Sequence, residues 1–320
     1  MTHASATITE PTPASHHEAH DHSRFLAHHF GSSQQQFDAG KFGMWLFLVT
    51  EVLFFSGLFC AYAVYRSTHP EAFANADKYL DSTLGATNTV VLILSSLTMA
   101  WGVRASQLGQ QQLLVRLLTI TLACASVFLG VKAVEYSHKW DLGILWASQF
   151  HPADHAAHSP ALLVLSLPAM LAAVSVGIAF GIARFRRAGV AASFWKLLLL
   201  VCLAFFGGVG IGKGVPVIEQ AVTGAAHDAA PHDAHSDQHQ QSAEMDQTYT
   251  GIFFSIYYVM TGLHAIHILG GMGAISWLLW RALRGDFGPD YFGPVDYVGL
   301  YWHLVDLIWI YLFPLLYLIG

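Results

Sequence analysis

The sequence predicts an all-α fold: a polytopic membrane helix bundle of seven transmembrane helices. Three observations predict it. Only 11% of the 320 residues are charged, against about 25% in a typical soluble domain. The mean hydropathy is +0.46. The apolar residues also gather into seven runs, each long enough for the roughly 20 residues that a membrane helix needs. These runs do not alternate apolar with polar, so a β-barrel is excluded. With every backbone group to be satisfied inside the bilayer, helices are the economical solution.

The first run, 42–65, lies within "GMWLFLVTEVLFFSGLFCAYAVYR", Gly43 to Arg66, and is broken by Glu51. The second spans 84–103. The third, 113–134, stops just before Glu135. The fourth is 161–183. The fifth, 194–216, contains "GGVGIGKG", where Gly208 with Gly212 and Gly210 with Gly214 are spaced for close helix contact. The sixth, 250–280, carries His264 and His267, and the seventh, 294–319, carries His303 and Asp306. These last two are longer than a bilayer requires and are expected to tilt or to run past the membrane.

Charge placement sets the orientation. With the N-terminus in the cytoplasm, Arg24, Lys41, Arg104, Arg116, Arg184, Arg186, Arg187, Lys196, Arg281 and Arg284 lie inside. Arg66, Lys78 and Lys139 lie outside, and Lys132 and Lys213 sit near helix ends, where they can snorkel. The C-terminus then ends outside. No basic start followed by a short apolar core precedes the first run, so that helix is expected to act as the insertion signal.

Two stretches read as low-complexity segments. One is the His-rich tail over residues 1–36, within a cytoplasmic segment 1–40; the other is "GAAHDAAPHDAHSDQHQQSAEMDQ", within an external His/Asp-rich loop, 224–248. A third His-bearing stretch, "HPADHAAHSP", holds His151, His155 and His158. Such tracts can bind metal, but their composition suits solvated segments. Cys60, Cys124 and Cys202 each stand alone in an apolar run, which gives neither a disulfide framework nor a metal motif. No basic patch suggests nucleic acid, and no phosphate loop, nucleophile elbow or zinc motif is present.

Chemistry therefore rests on ionisable groups inside the spans: Glu51, Glu135, His264, His267, His303 and Asp306. A charge at the bilayer centre costs at least about 2.5 kcal/mol, so such groups face protein, water or a partner. Glu51 lies ten residues after Lys41, which places it about 15 Å along its helix, near mid-bilayer. It reads as a packing carboxyl or as one that handles protons or meets lipid. His264 with His267, and His303 with Asp306, are spaced three apart on their helices. Interhelical hydrogen bonds between spans six and seven are the expected use of these four, a metal or haem site the lesser one, and Glu135, near the end of span three, is a further interhelical polar candidate.

Four stretches together resemble subunit III of the haem-copper cytochrome c oxidases: "GMWLFLVTEVLFFSGLFCAYAVYR", "LGATNTVVLILSSLTMAWGVRAS", "GIFFSIYYVMTGLHAIHILGG" and "YWHLVDLIWIYLFPLLYLIG". "FLGVKAVEYSHKW" adds a weaker fifth match. The resemblance implies a subunit with no catalytic centre and no cofactor of its own. It implies that haem and copper are held by partner subunits I and II. It implies packing against subunit I, with subunit II and subunit IV as further candidate partners, and a place in the bacterial inner membrane. It implies stabilisation of subunit I during oxygen reduction, ordered phospholipid, and support of proton uptake. Glu51 matches the family's membrane-embedded carboxyl, and Arg281 matches an arginine that contacts a lipid headgroup.

The chain departs from the family pattern by an inserted helix pair, residues 141–223, between core helices at 41–140 and 249–320. The pair is expected to pack on the outside of the five-helix core, not between Glu51 and His264. Two other readings stay open: subunit III of a quinol oxidase, and a proton-coupled transporter using Glu51.

Overall fold

The computed structural model describes residues 25–77, 79–144, 160–223 and 238–318. The His tracts at 1–24, 151–159 and 224–237 lie outside the described residues, as does Lys78. The described residues form eight helices and no named strand: α1 (Ser33–Thr68), α2 (Pro70–Asp77), α3 (Ser82–Gln107), α4 (Gln111–Asp141), α5 (Ala161–Phe185), α6 (Gly189–Thr223), α7 (Gln238–Leu283) and α8 (Gly293–Tyr317). All but α2 are long and apolar enough to cross a membrane.

Local chemistry sets the starts. Ser32 caps α1 by accepting the Gln35 backbone N–H at 3.1 Å. Asp81 caps α3 by accepting from the Leu84 N–H at 3.0 Å. Three residues, with Gly109 at φ +69°, reverse the chain between α3 and α4, and this short link makes the two helices antiparallel neighbours.

Three segments differ from expectation. The amphipathic turn α2 lies where only a loop is expected. Residues 25–32, expected as tail, are held against the bundle. Phe25 stacks on Tyr291 at 4.3 Å, and Gln36 donates to the Phe25 carbonyl while accepting from the Ala27 N–H. α7 begins at Gln238, inside the expected external loop. "QHQQSAEMDQ" contains no Gly or Pro and is rich in helix formers, so the membrane helix continues upstream at little cost.

α4 is the central and most buried span. It packs on α3, α5, α6 and α7, while α8 packs on α1, α3 and α7. Phe128, Trp302, Trp309, Tyr257, Leu118 and Leu122 fill the core. α5 and α6 lie against α4, and no helix separates Glu51 on α1 from α7. Glycines set the α4–α6 contact: a side chain at Gly208 would overlap the Val127 carbonyl, and one at Gly130 the Phe205 carbonyl. Gly212 abuts Val134, whereas Gly210 and Gly214 face open space, so only one of the two spaced glycine pairs makes the seam.

Candidate functional site: a half-buried carboxylate–imidazole pair

α1 and α7 pack so that Glu51, about half-way along α1, meets His267. Glu51 Oε2 lies 2.9 Å from His267 Nε2. The other ring nitrogen, Nδ1, lies 2.8 Å from the Leu263 carbonyl, one turn earlier on α7. A carbonyl oxygen only accepts, so Nδ1 carries a hydrogen and donates. A neutral imidazole then has Nε2 as an acceptor. The short contact with Glu51 therefore needs one proton between Oε2 and Nε2. The pair is either a carboxylic acid donating to a neutral ring or a carboxylate accepting from an imidazolium. The side chains are 19% and 17% exposed on the bundle surface. Phe55 meets the imidazole edge-on at 5.1 Å, and Tyr301 on α8 donates to the His267 carbonyl at 2.9 Å. The ring is thus fixed from three sides.

The other histidines go elsewhere. A separation of three residues on a helix is a rotation of about 60°, enough to aim two side chains at different neighbours. His264 turns into the core, stacked on Trp309 at 5.3 Å and edge-on to Phe128 at 5.6 Å. Neither of its nitrogens has a hydrogen-bond partner. His303 Nδ1 pairs with Ser96 on α3 at 2.7 Å. Asp306 is buried beside Ser96 and Cys124. The histidine bonds expected between spans six and seven are replaced by bonds to spans one and two.

Glu135 sits in a second polar centre, which joins α4, α7 and α8. Its Oε2 accepts from Lys132 at 2.8 Å. Its Oε1 accepts from Lys139 at 2.9 Å and from the hydroxyls of Tyr257 and Tyr317, both at 2.6 Å. Lys132 also donates to Tyr257 and Tyr317. Lys132 and Lys139 are 5% and 2% exposed. This corrects the expectation that Lys132 snorkels, and Lys139 too is buried in the bundle: with Glu135 three residues after one and four before the other, both turn inward to it. That spacing is the signal by which these lysines could have been found in the sequence.

Arg281 is caged. Its Nε donates to Asp286 at 3.0 Å and its Nη1 to the Tyr291 hydroxyl at 3.2 Å. Trp277, Phe287, Tyr291 and Phe25 surround the guanidinium at 5.0–5.5 Å. Beside it, the 25–40 segment, the α7–α8 loop and the start of α8 line a half-open pocket of about 870 Å³ that includes Phe25, Phe37, Tyr291 and Tyr297 in its walls. Among the described residues no group of three or more His, Cys, Asp and Glu is placed to hold a metal.

Comparison with known proteins adds a consistent result. The family model described as "Cytochrome c oxidase subunit III" matches residues 16–144 and 238–320, well over half of the chain. The two blocks contain Glu51 and Glu135 on one side and His267, Arg281 and His303 on the other; α5 and α6 fall between them. The chain is similar to "Cytochrome c oxidase subunit 3" of Synechocystis sp., 25% identical over 284 residues, covering 88% of this chain and 76% of the relative. It is similar to the protein of the same name from Thermostichus vulcanus, 41% identical over 71 residues, 22% of this chain and 35% of the relative. It is also similar to "Heme-copper oxidase subunit I+III" of Aeropyrum pernix, 39% identical over 70 residues, 22% of this chain and 9% of the relative.

Proposed function

Because the chain belongs to the cytochrome c oxidase subunit III family, we propose that it is the non-catalytic subunit III of an aerobic haem-copper cytochrome c oxidase in a bacterial inner membrane. It packs against subunit I and stabilises it during oxygen reduction, with haem and copper held by subunits I and II. The observation that carries this reading is the Glu51–His267 pair, built by α1 and α7 from the two family-matched blocks. The name of the Aeropyrum pernix relative, which joins subunits I and III, supports the choice of main partner. Cytochrome c is favoured over quinol as the electron donor by the names of the Synechocystis and Thermostichus relatives.

The proposed role of Glu51 follows from its geometry. The pair holds one proton at a carboxyl that is 19% exposed on the bundle surface. Transfer of that proton between oxygen and nitrogen changes the charges without breaking the contact. A group of this kind can take up or release a proton beside lipid or subunit I and so support proton uptake. At the Arg281 end, Nε and Nη1 are engaged, and the Nη2 edge remains to receive a lipid headgroup phosphate. The inserted pair α5–α6 borders the core through α4.

The test is purification of the tagged chain from its native membranes. Haem a and copper in stoichiometric amounts are expected. A chain that purifies without them and takes up a solute with protons in vesicles would overturn the reading in favour of a transporter.

A further inference from the structure

Ser96 on α3 stands between two ionisable groups of α8. Its hydroxyl lies 2.7 Å from His303 Nδ1. The same hydroxyl is the hydrogen-bonding group that reaches Asp306. His303 holds it at closer range than Asp306 does. His303 and Asp306 are one turn apart on α8, so both can meet the same stretch of α3. Two indoles fix that alignment: Trp302 Nε1 donates to Ser95 at 2.9 Å, and Trp309 Nε1 donates to Thr89 at 3.1 Å.

The two ends differ in access. Asp306 is 1% exposed. His303 is half-buried, while Leu97, next to Ser96, and Leu307, one turn after His303, are exposed. The imidazole therefore lies toward the outer face of the bundle and the carboxyl lies inside. The ionisable groups that meet Asp306 are Cys124 on α4 and, through Ser96, His303. Among the described residues no lysine or arginine forms an ion pair with it. A buried carboxylate with no cation beside it is costly, which favours the neutral acid.

We propose that His303, Ser96 and Asp306 form a second proton-exchange site of this chain, with the Ser96 hydroxyl as the link between an outer imidazole and an inner carboxyl. A hydroxyl has one hydrogen, so Ser96 donates to one neighbour and accepts from the other. In one arrangement Asp306 is the acid: it donates to Ser96, and Ser96 donates to Nδ1 of a neutral ring. In the other, Nδ1–H donates to Ser96, and Ser96 donates to the Asp306 carboxylate. Passage from the first to the second breaks the Asp306 O–H bond and the Ser96 O–H bond. It forms a new Ser96 O–H bond and an Nδ1–H bond, leaving a carboxylate and an imidazolium. The imidazolium then gives its Nε2 proton to water at the half-exposed edge, and the site has released one proton. Uptake runs the same steps in reverse. Glu51 and His267 share their proton directly, whereas here a hydroxyl must pass it on. The inference is independent of the oxidase reading, because it rests on side chains of this chain alone.

The test is time-resolved infrared spectroscopy of the full chain, in the complex in which it is purified. The difference spectrum between the unmodified protein and Asp306→Asn isolates the Asp306 carbonyl band. A band in the region of protonated carboxylic acids is expected, and it is expected to fade after a jump to higher pH. Ser96→Thr keeps the hydroxyl and is expected to fade at the unmodified rate. Ser96→Ala cuts the link and is expected to slow the fading several-fold. His303→Gln keeps a hydrogen-bonding partner for Ser96 but no imidazole, and is expected to slow it equally, which decides the matter even if Ser96→Ala fails to assemble. A spectrum without the protonated band, a band that ignores pH, or one that fades as fast in Ser96→Ala or His303→Gln as in the unmodified protein overturns the proposal.

Discussion

Glu51 and His267 are joined through one proton. The imidazole commits Nδ1 to the Leu263 carbonyl at 2.8 Å and turns Nε2 to the carboxyl at 2.9 Å. A carboxyl that looks like an isolated charge in an apolar helix is thereby half of a pair whose other half lies 216 residues away.

The Glu135 centre is expected to be the most sensitive point of the fold. Glu135→Leu leaves two buried ammonium groups without their carboxylate. Removing one partner of a buried ion pair costs about 3–5 kcal/mol, so loss of the assembled subunit, or a large drop in melting temperature, is expected. The triple replacement Lys132→Met, Glu135→Leu, Lys139→Met removes the charges together and is expected to restore much of the loss. Melting of the solubilised complex checks both.

The glycine seam separates two substitutions that look alike in sequence. Gly208→Val drives a side chain into the Val127 backbone and is expected to cost about 1–3 kcal/mol or more. At Gly210 an added Cβ meets nothing within 4 Å, and Gly210→Val is expected to stay within about 0.5 kcal/mol of the unmodified protein. Equal losses in a thermal melt would contradict the assigned α4–α6 interface.

Arg281→Lys keeps the charge but loses the planar, forked contact with Asp286, Tyr291 and the surrounding rings. A weakening of about 1–2 kcal/mol is expected at this corner. Its readout is faster proteolysis between Phe25 and Ser32, the segment that the cage and the Phe25–Tyr291 stack hold down. Phe25→Ala is expected to act the same way.

The seven spans were legible because apolar length is a direct requirement of the bilayer. The helix ends were less so: α7 starts at Gln238 because a polar stretch without Gly or Pro can continue a helix. At the candidate site, Glu51 stood out as a carboxyl in an apolar run, but His267 did not stand out from His264. Spacing places both on one side of α7, and only the packing of α1 on one flank and of α4 and α8 on the other separates them. The inward turn of Lys132 and Lys139 was not legible for a related reason. Apolar counts give depth along a helix but not the direction a side chain takes, and a buried carboxylate outweighs the pull of the membrane surface.

The central claim is that the proton between Glu51 and His267, and not merely the contact, supports the assembled oxidase. Glu51→Gln separates the two. The amide N–H can donate to Nε2 and keep the hydrogen bond, but it has no labile proton to exchange. Glu51→Ala loses both. The measurement is the half-life of activity during turnover in the complete complex, alongside proton uptake. The account predicts that Gln and Ala both assemble and both shorten that half-life several-fold. A Gln variant that keeps the unmodified lifetime and proton uptake while Ala loses them would contradict it and leave Glu51 as a packing residue.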